Sequence, residues 1–340
     1  MDKKPVESTP LLEVKNLQTA FSINDSWHNA VDDVSFQVGR KRIVGVVGES
    51  GCGKSVLSLS VIGLLPKVNS QIRSGSVLFN GKNLTRLSED EMNDVRGKDI
   101  SMIFQEPMTS LNPVLTIGYQ LQEVLFNHMN ISKAEAREKS IALLKSVGIS
   151  RSEKLIDGYP HQLSGGMRQR VMIAMAVACQ PKLLIADEPT TALDVTVQAQ
   201  ILELLKEIQE SNDMSIIMIT HDLGVVAEMC DEVIVMYGGK IVEHTDVDTL
   251  FYAPKHPYTK ALLHSIPRME DDVEVLNTIK GIVPSLVNMP RTGCRFVNRC
   301  PHAMEDCSSV TPVLRQDSQG HDVACLLYKN SYPSKGVKTS

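Results

Sequence analysis

The sequence predicts an α/β fold built on a parallel sheet, and two observations carry this prediction. Three short apolar runs, "KRIVGVV", "KLLIAD" and "SIIMIT", have the continuous apolar character of strands that are buried on both faces. Segments of helical periodicity lie between them: residues 133–148, the run that begins "GGMRQRVMIAMAVAC", and residues 196–210, whose predicted buried face carries Ile201, Leu204, Leu205 and Ile208. Strands that alternate with helices indicate a parallel sheet.

The remaining elements follow in chain order. Residues 11–47 predict strands, because "LLEVKNLQTAF" and "AVDDVSFQV" alternate, with a turn at "NDSWHN" between them. Between the first and second buried strands we expect mostly helix. "VIVMYGGKIVEH" predicts a hairpin around Gly238 and Gly239. Beyond about residue 250 prolines recur, so we predict a main domain at 1–250 and a smaller C-terminal extension at 251–340.

Composition narrows the class of protein. The 340 residues are 42% hydrophobic and 22% charged, which is typical of a folded globular chain. The net charge of −5 argues against binding nucleic acid by bulk electrostatics. The N-terminal "MDKKPVESTP" has no apolar core, and no long apolar run follows. We therefore expect a cytosolic chain that does not span a membrane, with reduced cysteines that hold metal or do redox work.

One motif predicts phosphate binding. "GESGCGKS", from Gly48 to Ser55, follows the first buried strand and precedes a helix pattern, as a phosphate-binding loop does. Its backbone N–H groups can surround phosphates, and the helix N-terminus adds positive potential. Lys54 is expected to reach the β and γ phosphates and Ser55 to bind Mg²⁺. A glycine-rich turn without a ligand is the alternative.

Charged residues end the other two buried strands. Asp187 and Glu188 follow one of them, and successive residues of a strand point in opposite directions, so we expect different roles. Asp187 is a candidate Mg²⁺ ligand and Glu188 a candidate base for the attacking water. His221 ends the third strand and is a candidate γ-phosphate contact. The alternatives are solvated acids and a structural histidine.

A second candidate anion site is "LSGGMRQR" at 163–170, where a serine and two glycines precede a helix. The residues alone do not distinguish an anion site from an ordinary helix N-cap.

Together these motifs resemble the ATP-binding subunits of ABC transporters. The phosphate loop, "LSGGM", "LLIADE", "ALD" at 192–194 and His221 occur in the family's order. The resemblance implies an ABC-type nucleotide-binding domain with a parallel core sheet, an antiparallel β subdomain and a helical subdomain at about 106–168. It implies ATP and Mg²⁺, with catalytic Glu188, His221 and Gln105 and with Mg²⁺ held by Ser55, Gln105 and Asp187. The implied ATP contacts are Phe21, Gly48, Glu49, Ser50, Gly51, Cys52, Gly53, Lys54, Ser55 and Val56.

The same resemblance implies a dimer. In this family the signature of one subunit closes over the ATP of the other, which assigns that role to Ser164, Gly165, Gly166 and Asp194. Phe21 matches the aromatic residue that stacks on adenine, and Trp27 is a nearby competitor for this role.

A narrower resemblance covers the whole chain. "FQEPMTSLNP", "HPYTKALLHSIP", "GIVPSL" and the cysteine-containing tail resemble the ATPase subunits of oligopeptide and dipeptide importers, and Met167 resembles the D-type partner. This implies a second, different ATPase of the F type, two membrane permease subunits, and indirectly an extracytoplasmic peptide-binding protein. It places the chain at the cytoplasmic face of the membrane, without nucleic acid.

Two other functions remain to be weighed. A soluble ABC ATPase acting on nucleic acid would account for a zinc-binding tail, but the chain is acidic and has no basic stripe or long coiled-coil insertion. A scaffold that binds ATP without hydrolysis is disfavoured because Glu188 and His221 are present.

Cys294, Cys300, Cys307 and Cys325 lie far from the ATP motifs in sequence, with a spacing that matches neither common zinc pairs nor ferredoxin runs. Unrelated core thiols are one interpretation. Four converging thiolates suit zinc, which could also recruit His302 and His321, or a 4Fe-4S cluster. Resemblance to the peptide importers favours the iron-sulfur cluster, acting as a staple for the tail, with redox sensing as the alternative.

Overall fold

The computed structural model describes residues 9–105, 110–191, 193–265 and 279–328. The chain divides into two compact units. Unit 1 comprises Met1–Leu11, Val38–Ile43 and Arg86–Met218, and unit 2 comprises Leu12–Gln37, Val44–Thr85 and Ile219–Ser340.

Twelve strands are formed by the described residues. They are β1 Leu12–Ile23, β2 Ser26–Val38, β3 Ile43–Val47, β4 Ser70–Phe79, β5 Lys82–Asn83, β6 Ile100–Ile103, β7 Leu183–Asp187, β8 Ser215–Ile219, β9 Glu232–Tyr237, β10 Lys240–Asp246, β11 Arg315–Gln316 and β12 Asp322–Val323.

Ten α-helices lie within the same ranges. They are α1 Lys54–Ile62, α2 Glu89–Val95, α3 Ile117–His128, α4 Lys133–Ser146, α5 Ser152–Leu155, α6 Gly165–Val177, α7 Val195–Ser211, α8 Leu223–Met229, α9 Val247–Tyr252 and α10 Pro257–His264. Short 3-10 helices occur at Leu84–Arg86, Pro160–Gln162, Val297–Arg299, Glu305–Ser308 and Leu326–Tyr328.

Unit 1 contains parallel strands in the order β8-β7-β6, and the β6–β7 register runs from Ile100 opposite Leu183 to Ile103 opposite Ala186. Its helices begin at polar caps that satisfy the first free N–H groups. Ser132 and Glu135 form a capping box at α4, and the Thr116 side chain accepts from the Tyr119 amide at α3. These caps explain where the two helices start.

Unit 2 contains an antiparallel sheet in the order β2-β1-β4-β5. The β1–β2 turn consists of Asn24 and Asp25, with φ of 50° and 58°, values that asparagine and aspartate tolerate better than most residues. The other strands of the unit run in the order β11-β12-β10-β9-β3, and β3 pairs in parallel with β9. The phosphate-loop segment joins β3 to α1.

Residues 279–328, at the C-terminal end of the described chain, have little regular structure. Their largest apolar side chain, Phe296, is 1% exposed and packs edge-to-face against Tyr237 of β9 and Tyr258 of α10. β12 pairs with β10 at Glu243 and His244. These residues therefore share a core with β9 and α10. No helix in the described ranges is long and apolar enough to cross a bilayer.

Several predictions from the sequence are confirmed. The three buried runs form β3, β7 and β8, and every residue of these strands is buried. The helices predicted at 133–148 and 196–210 are α4 and α7, the run that begins at Gly165 is α6, and the predicted buried face of α7 is buried. The hairpin at Gly238 and Gly239 joins β9 to β10.

One prediction is wrong: the "NDSWHN" turn spans only Asn24 and Asp25, and β2 already begins at Ser26. The stretch between the first and second buried strands holds α1 to α6, in line with the expected helix, together with β4, β5 and β6. Four-residue β6 is too short for its apolar run to be told from buried helix by periodicity, and β4 is identified only by its pairing with β1.

Candidate active site

The phosphate loop is shaped by two close backbone approaches. Gly48 has φ of 150°, and a Cβ there would lie 2.3 Å from the carbonyl oxygen of Met236. Gly53 has φ of 102°, and its Cβ would lie 2.6 Å from the carbonyl oxygen of Ala30. Only glycine fits both places. The Gly239 amide also donates to the Cys52 carbonyl at 2.8 Å, so the loop is fixed against β2 and the β9–β10 hairpin.

The predicted phosphate ligands lie in this loop and in the first turn of α1. Lys54 is 7% exposed. Its ammonium group donates to the carbonyl oxygens of Gly48 at 2.7 Å and Glu49 at 3.3 Å. Cys52 is buried, and burial raises the pKa of its thiol. Ser50 and Gly51 complete the turn, and Ser55 and Val56 follow in α1. The loop therefore holds the Lys54 ammonium group against its own carbonyl oxygens.

In unit 1 the structure brings Gln105 and Glu188 together. Asp187 is the last residue of β7 and is 4% exposed, whereas Glu188 is half-buried and has φ of 47°. The Glu188 Oε2 atom accepts hydrogen bonds from Gln105 Nε2 at 2.8 Å and from the Thr191 hydroxyl at 2.9 Å. A left-handed backbone is uncommon at a non-glycine residue, and Glu188 adopts it directly after β7. The sequence analysis did not identify Thr191. Its position three residues after Glu188 is the only signal in the sequence that could have suggested this contact.

The signature residues begin helices of unit 1. The Ser164 hydroxyl accepts from the Met167 amide at 3.3 Å and caps α6, so Gly165 and Gly166 form its first turn. Asp194 caps α7 by accepting from the Val197 amide at 3.0 Å. The N-cap interpretation of Ser164 is therefore correct for its hydroxyl, and an anion role remains a prediction. Ala192, in the "ALD" stretch, and residues 106–109 of "FQEPMTSLNP" lie outside the described residues.

The remaining nucleotide candidates belong to unit 2. His221 is exposed, two residues beyond the end of β8. Phe21 is half-buried in β1. Trp27, the other candidate for stacking on adenine, is 39% exposed. It lines a cavity of about 270 Å³ together with Asp32, Arg73 and Arg295, among others. Phe21 does not line this cavity. Trp27 is therefore the one of these two aromatic residues that borders this cavity.

The four cysteines of the tail line one small cavity, shared with His256, Phe296 and His302. Burial, followed by the negative charge of the neighbouring cysteines, raises the pKa of the Cys294 and Cys300 thiols and raises that of Cys325 to about 11. The cavity holds about 10 Å³, room for one water molecule. The loops that carry the thiols would have to part to admit a cluster.

His256 is one of the residues that line this cavity. Its Nδ1 accepts the Tyr258 amide at 3.0 Å, so the ring proton is assigned to Nε2. Within the described chain, the buried Nε2 has no hydrogen-bond partner. Burial lowers the pKa of His256 to about 4, which keeps the ring neutral. His256 is thus a neutral, buried residue of the cavity lining, and no described residue accepts its ring N–H.

Metal binding by the tail is otherwise unsupported. Among the described residues, no three His, Cys, Asp or Glu side chains lie in positions that could together hold a metal ion. His321 does not line the cysteine cavity, and its Nε2 lies 2.7 Å from Glu243. His302 does line the cysteine cavity.

The tail is remote from the phosphate loop in sequence but contacts it in the structure. Arg299 forms a bidentate salt bridge with Glu49, at 2.7 Å to Oε2 and 2.9 Å to Oε1. The Tyr258 hydroxyl accepts the Glu49 amide at 2.8 Å. Sequence reasoning missed both contacts, and no local pattern could have indicated them, since 250 residues separate the two charges.

Comparison with known proteins identifies the family of the chain. A model described as "ABC transporter" matches residues 31–191, and one described as "Oligopeptide/dipeptide transporter, C-terminal region" matches residues 242–307. The oligopeptide transport ATP-binding protein AppD of Bacillus subtilis (strain 168) is 54% identical over 319 residues, covering 94% of this chain and 97% of that protein.

The chain is an ABC transporter ATPase of the peptide-transporter type. The oligopeptide transport ATP-binding protein OppD of Escherichia coli (strain K12) is 51% identical over 94% of both chains. The dimeric bacterial ABC transporter cassette MJ0796 has a TM-score of 0.62 at 27% identity, over 69% of this chain and 98% of that one. The peptide-transporter ATPase thus has the ABC-type nucleotide-binding fold, and ATP and Mg²⁺ are the expected ligands. Nothing in these comparisons supports the nucleic-acid hypothesis.

Proposed function

We propose that this chain powers the import of oligopeptides or dipeptides across the cytoplasmic membrane, working at its cytoplasmic face. Its partners in this proposal are a second ATPase of the F type and two membrane permease subunits, with an extracytoplasmic peptide-binding protein that delivers the cargo. Relatives named for oligopeptide and dipeptide transport, each similar over more than nine-tenths of both chains, support the cargo class.

The observation that carries the catalytic part is the hydrogen bond from Gln105 Nε2 to Glu188 Oε2. Glu188 acts as the general base that takes a proton from the attacking water, and the Gln105 and Thr191 donors hold its carboxylate in place. Asp187, Ser55 and Gln105 hold Mg²⁺ in this proposal, and Lys54 and the loop N–H groups bind the phosphates. His221 contacts the γ-phosphate.

Transport requires ATP to favour one conformation. ATP shifts an equilibrium only by binding one state better than the other. In the closed dimer, Ser164, Gly165, Gly166 and Asp194 contact the ATP held by the partner, which supplies this difference. Hydrolysis removes the bridging phosphate and reopens the dimer. The permease subunits follow this motion through the segment that begins at Gln105. The adenine stacks on Phe21 or Trp27.

Replacing Glu188 by glutamine tests this proposal. The amide keeps the shape of the side chain but cannot accept a proton, so the Glu188→Gln variant should bind ATP, accumulate as a closed dimer and lose turnover. Phosphate release and size-exclusion chromatography with ATP measure both effects. Glu207→Gln, a change of the same type at an exposed position of α7, is the control. Multiple turnovers by Glu188→Gln would remove Glu188 as the base.

We propose in addition that Cys294, Cys300, Cys307 and Cys325 bind a 4Fe-4S cluster. Two observations support this assignment: the four cysteines and His256 line one cavity, and the buried His256 Nε2 has no hydrogen-bond partner among the described residues. Such a cluster supplies four metal–sulfur bonds that tie together a segment with little regular structure. The chain's own part is to provide the four thiols, exclude water and direct the His256 N–H toward sulfur.

Anaerobic purification tests this assignment. The protein should be brown, absorb near ~400 nm and contain about four irons per chain. Cys300→Ser should lose the colour, whereas Cys179→Ser, at a half-buried cysteine outside the cavity, should keep it. A colourless protein with one zinc per chain would replace the cluster by zinc.

A further inference from the structure

We infer that Arg299 is a positioning residue of the ATP site: it acts through Glu49 to hold the phosphate loop in its nucleotide-binding form. This inference rests on the proposed function of the loop. It concerns a residue of the cysteine tail, outside every motif that predicts ATP binding. Three features of the structure carry it.

The first feature is the fixed geometry of the guanidinium group. The Arg299 side chain is 5% exposed and that of Glu49 is 27% exposed. The two nitrogens Nη1 and Nη2 bind the two carboxylate oxygens, and Nε and Nη2 also donate to the carbonyl oxygens of Lys280 at 3.0 Å and Gly281 at 3.1 Å. A planar guanidinium held on two sides has little freedom. It therefore fixes the Glu49 side chain.

The second feature is a contact with the backbone of the same loop residue. The Glu49 amide donates to the hydroxyl of Tyr258, a side chain with no exposed surface. The aromatic cluster of Tyr237, Tyr258 and Phe296 supports this hydroxyl. Residues of the C-terminal region thus hold both the side chain and the amide of Glu49. Since Glu49 directly follows Gly48, the entry to the phosphate loop is set from outside the loop.

The third feature is charge. The Lys54 ammonium, which is expected to bind phosphate, lies 3.3 Å from the Glu49 carbonyl oxygen. The residue that carries the carboxylate therefore contacts this cation through its backbone. An uncompensated carboxylate there would repel the phosphates of a nucleotide. Arg299 compensates it. Loss of Arg299 should therefore weaken nucleotide binding through both the position and the charge of Glu49.

The position of Arg299 also depends on the cysteines. It ends the 3-10 helix Val297–Arg299, and the Cys294 and Cys300 thiols on either side line the cysteine cavity. A group that binds the Cys294 and Cys300 thiols would therefore also hold in place the segment that carries the Arg299 guanidinium. The tail therefore supports the ATP site through a defined salt bridge.

Nucleotide binding to the full chain tests the inference. Isothermal titration with the non-hydrolysable analogue AMP-PNP and Mg²⁺ should show a Kd raised about tenfold or more by Arg299→Gln. Arg299→Lys keeps the charge but not the bidentate geometry, and should give a smaller increase. Lys260→Gln, which removes an exposed cation of α10, should bind as the wild type does. The double variant Glu49→Gln with Arg299→Gln removes the repelling carboxylate and should recover part of the affinity.

Each result has a defined meaning. Wild-type affinity in both Arg299→Gln and Arg299→Lys would overturn the inference. An equal loss in Arg299→Gln and in the double variant would also overturn it, because the effect would then not pass through Glu49. If Arg299→Gln does not fold, Arg299→Lys, which keeps the charge, still decides. Failure of the wild type to bind AMP-PNP would instead contradict the proposed function itself.

Discussion

The carboxylate of Glu243, which has no exposed surface, lies 2.7 Å from His321 Nε2. It also accepts the amides of Lys255 at 2.6 Å and His256 at 2.9 Å. Burial raises the pKa of Glu243, but the hydrogen bonds from His321 and these amides outweigh burial and lower it. One buried anion therefore ties the β12 region to the start of α10.

Replacing Glu243 by glutamine should destabilise the protein. The amide keeps the size of the side chain but removes the charge and one acceptor, which leaves buried donors unpaired. We expect a loss of about 2–4 kcal/mol in the free energy of unfolding. Thermal unfolding followed by circular dichroism measures it, with exposed Glu210→Gln as the control. An unchanged melting temperature would contradict this account of the contact.

Asp317 predicts how stability depends on pH. Its carboxylate lies 2.5 Å from the Lys255 ammonium and accepts the His321 and Gln319 amides. Burial opposes ionisation, yet these contacts lower the pKa of Asp317 to about 2. The ionised Asp317 carboxylate therefore contributes fully to the stability of the folded protein at pH values above about 4, the pKa of this group in the unfolded chain. This contribution is lost as the pH falls toward 2.

The Asp317→Asn variant checks this sign. It should be less stable than the wild type at pH 7, and the difference should shrink as the pH falls from about 4 toward 2. Urea unfolding at pH 7, 4 and 3 measures the difference. A gap that stays constant over this range would show that the Asp317 charge does not contribute.

Lys54 should be required for nucleotide binding. Replacing it by alanine removes the ammonium that the loop holds among its own carbonyl groups, and should raise the Kd for ATP and Mg²⁺ at least about tenfold. Lys206→Ala, at an exposed lysine of α7, should bind ATP normally. Unchanged affinity in Lys54→Ala would show that this loop does not hold the phosphates.

The two signature glycines differ in the space around them. A Cβ at Gly166 would lie 2.8 Å from Cγ1 of Val197, whereas one at Gly165 meets only Leu193, at 3.8 Å. Gly166→Ala should force α6 and α7 apart and cost about 1–3 kcal/mol of stability. Gly165→Ala should leave the melting temperature nearly unchanged. Equal effects of the two variants would contradict the packing seen at Gly166.

Much of the fold was predictable because its signals are local. Continuous apolar runs identified β3, β7 and β8, and periodicity identified the buried face of α7. β4 and β6 were missed because their evidence is the strand beside them, which lies elsewhere in the sequence. The phosphate loop, the Asp187 and Glu188 pair and the signature were recognisable because each is a short motif with a fixed spacing.

What the sequence determined by itself is the chemistry of an ABC ATPase, because phosphate binding and water activation need certain residue types at fixed local spacings. The tertiary structure alone decided which distant residues support that chemistry. Thr191 braces Glu188 within a few residues, but Arg299 reaches Glu49 across 250 residues and His321 reaches Glu243 across 78. Such pairs leave no local pattern, since only the packing of the aromatic cluster and the pairing of β12 with β10 bring them into contact.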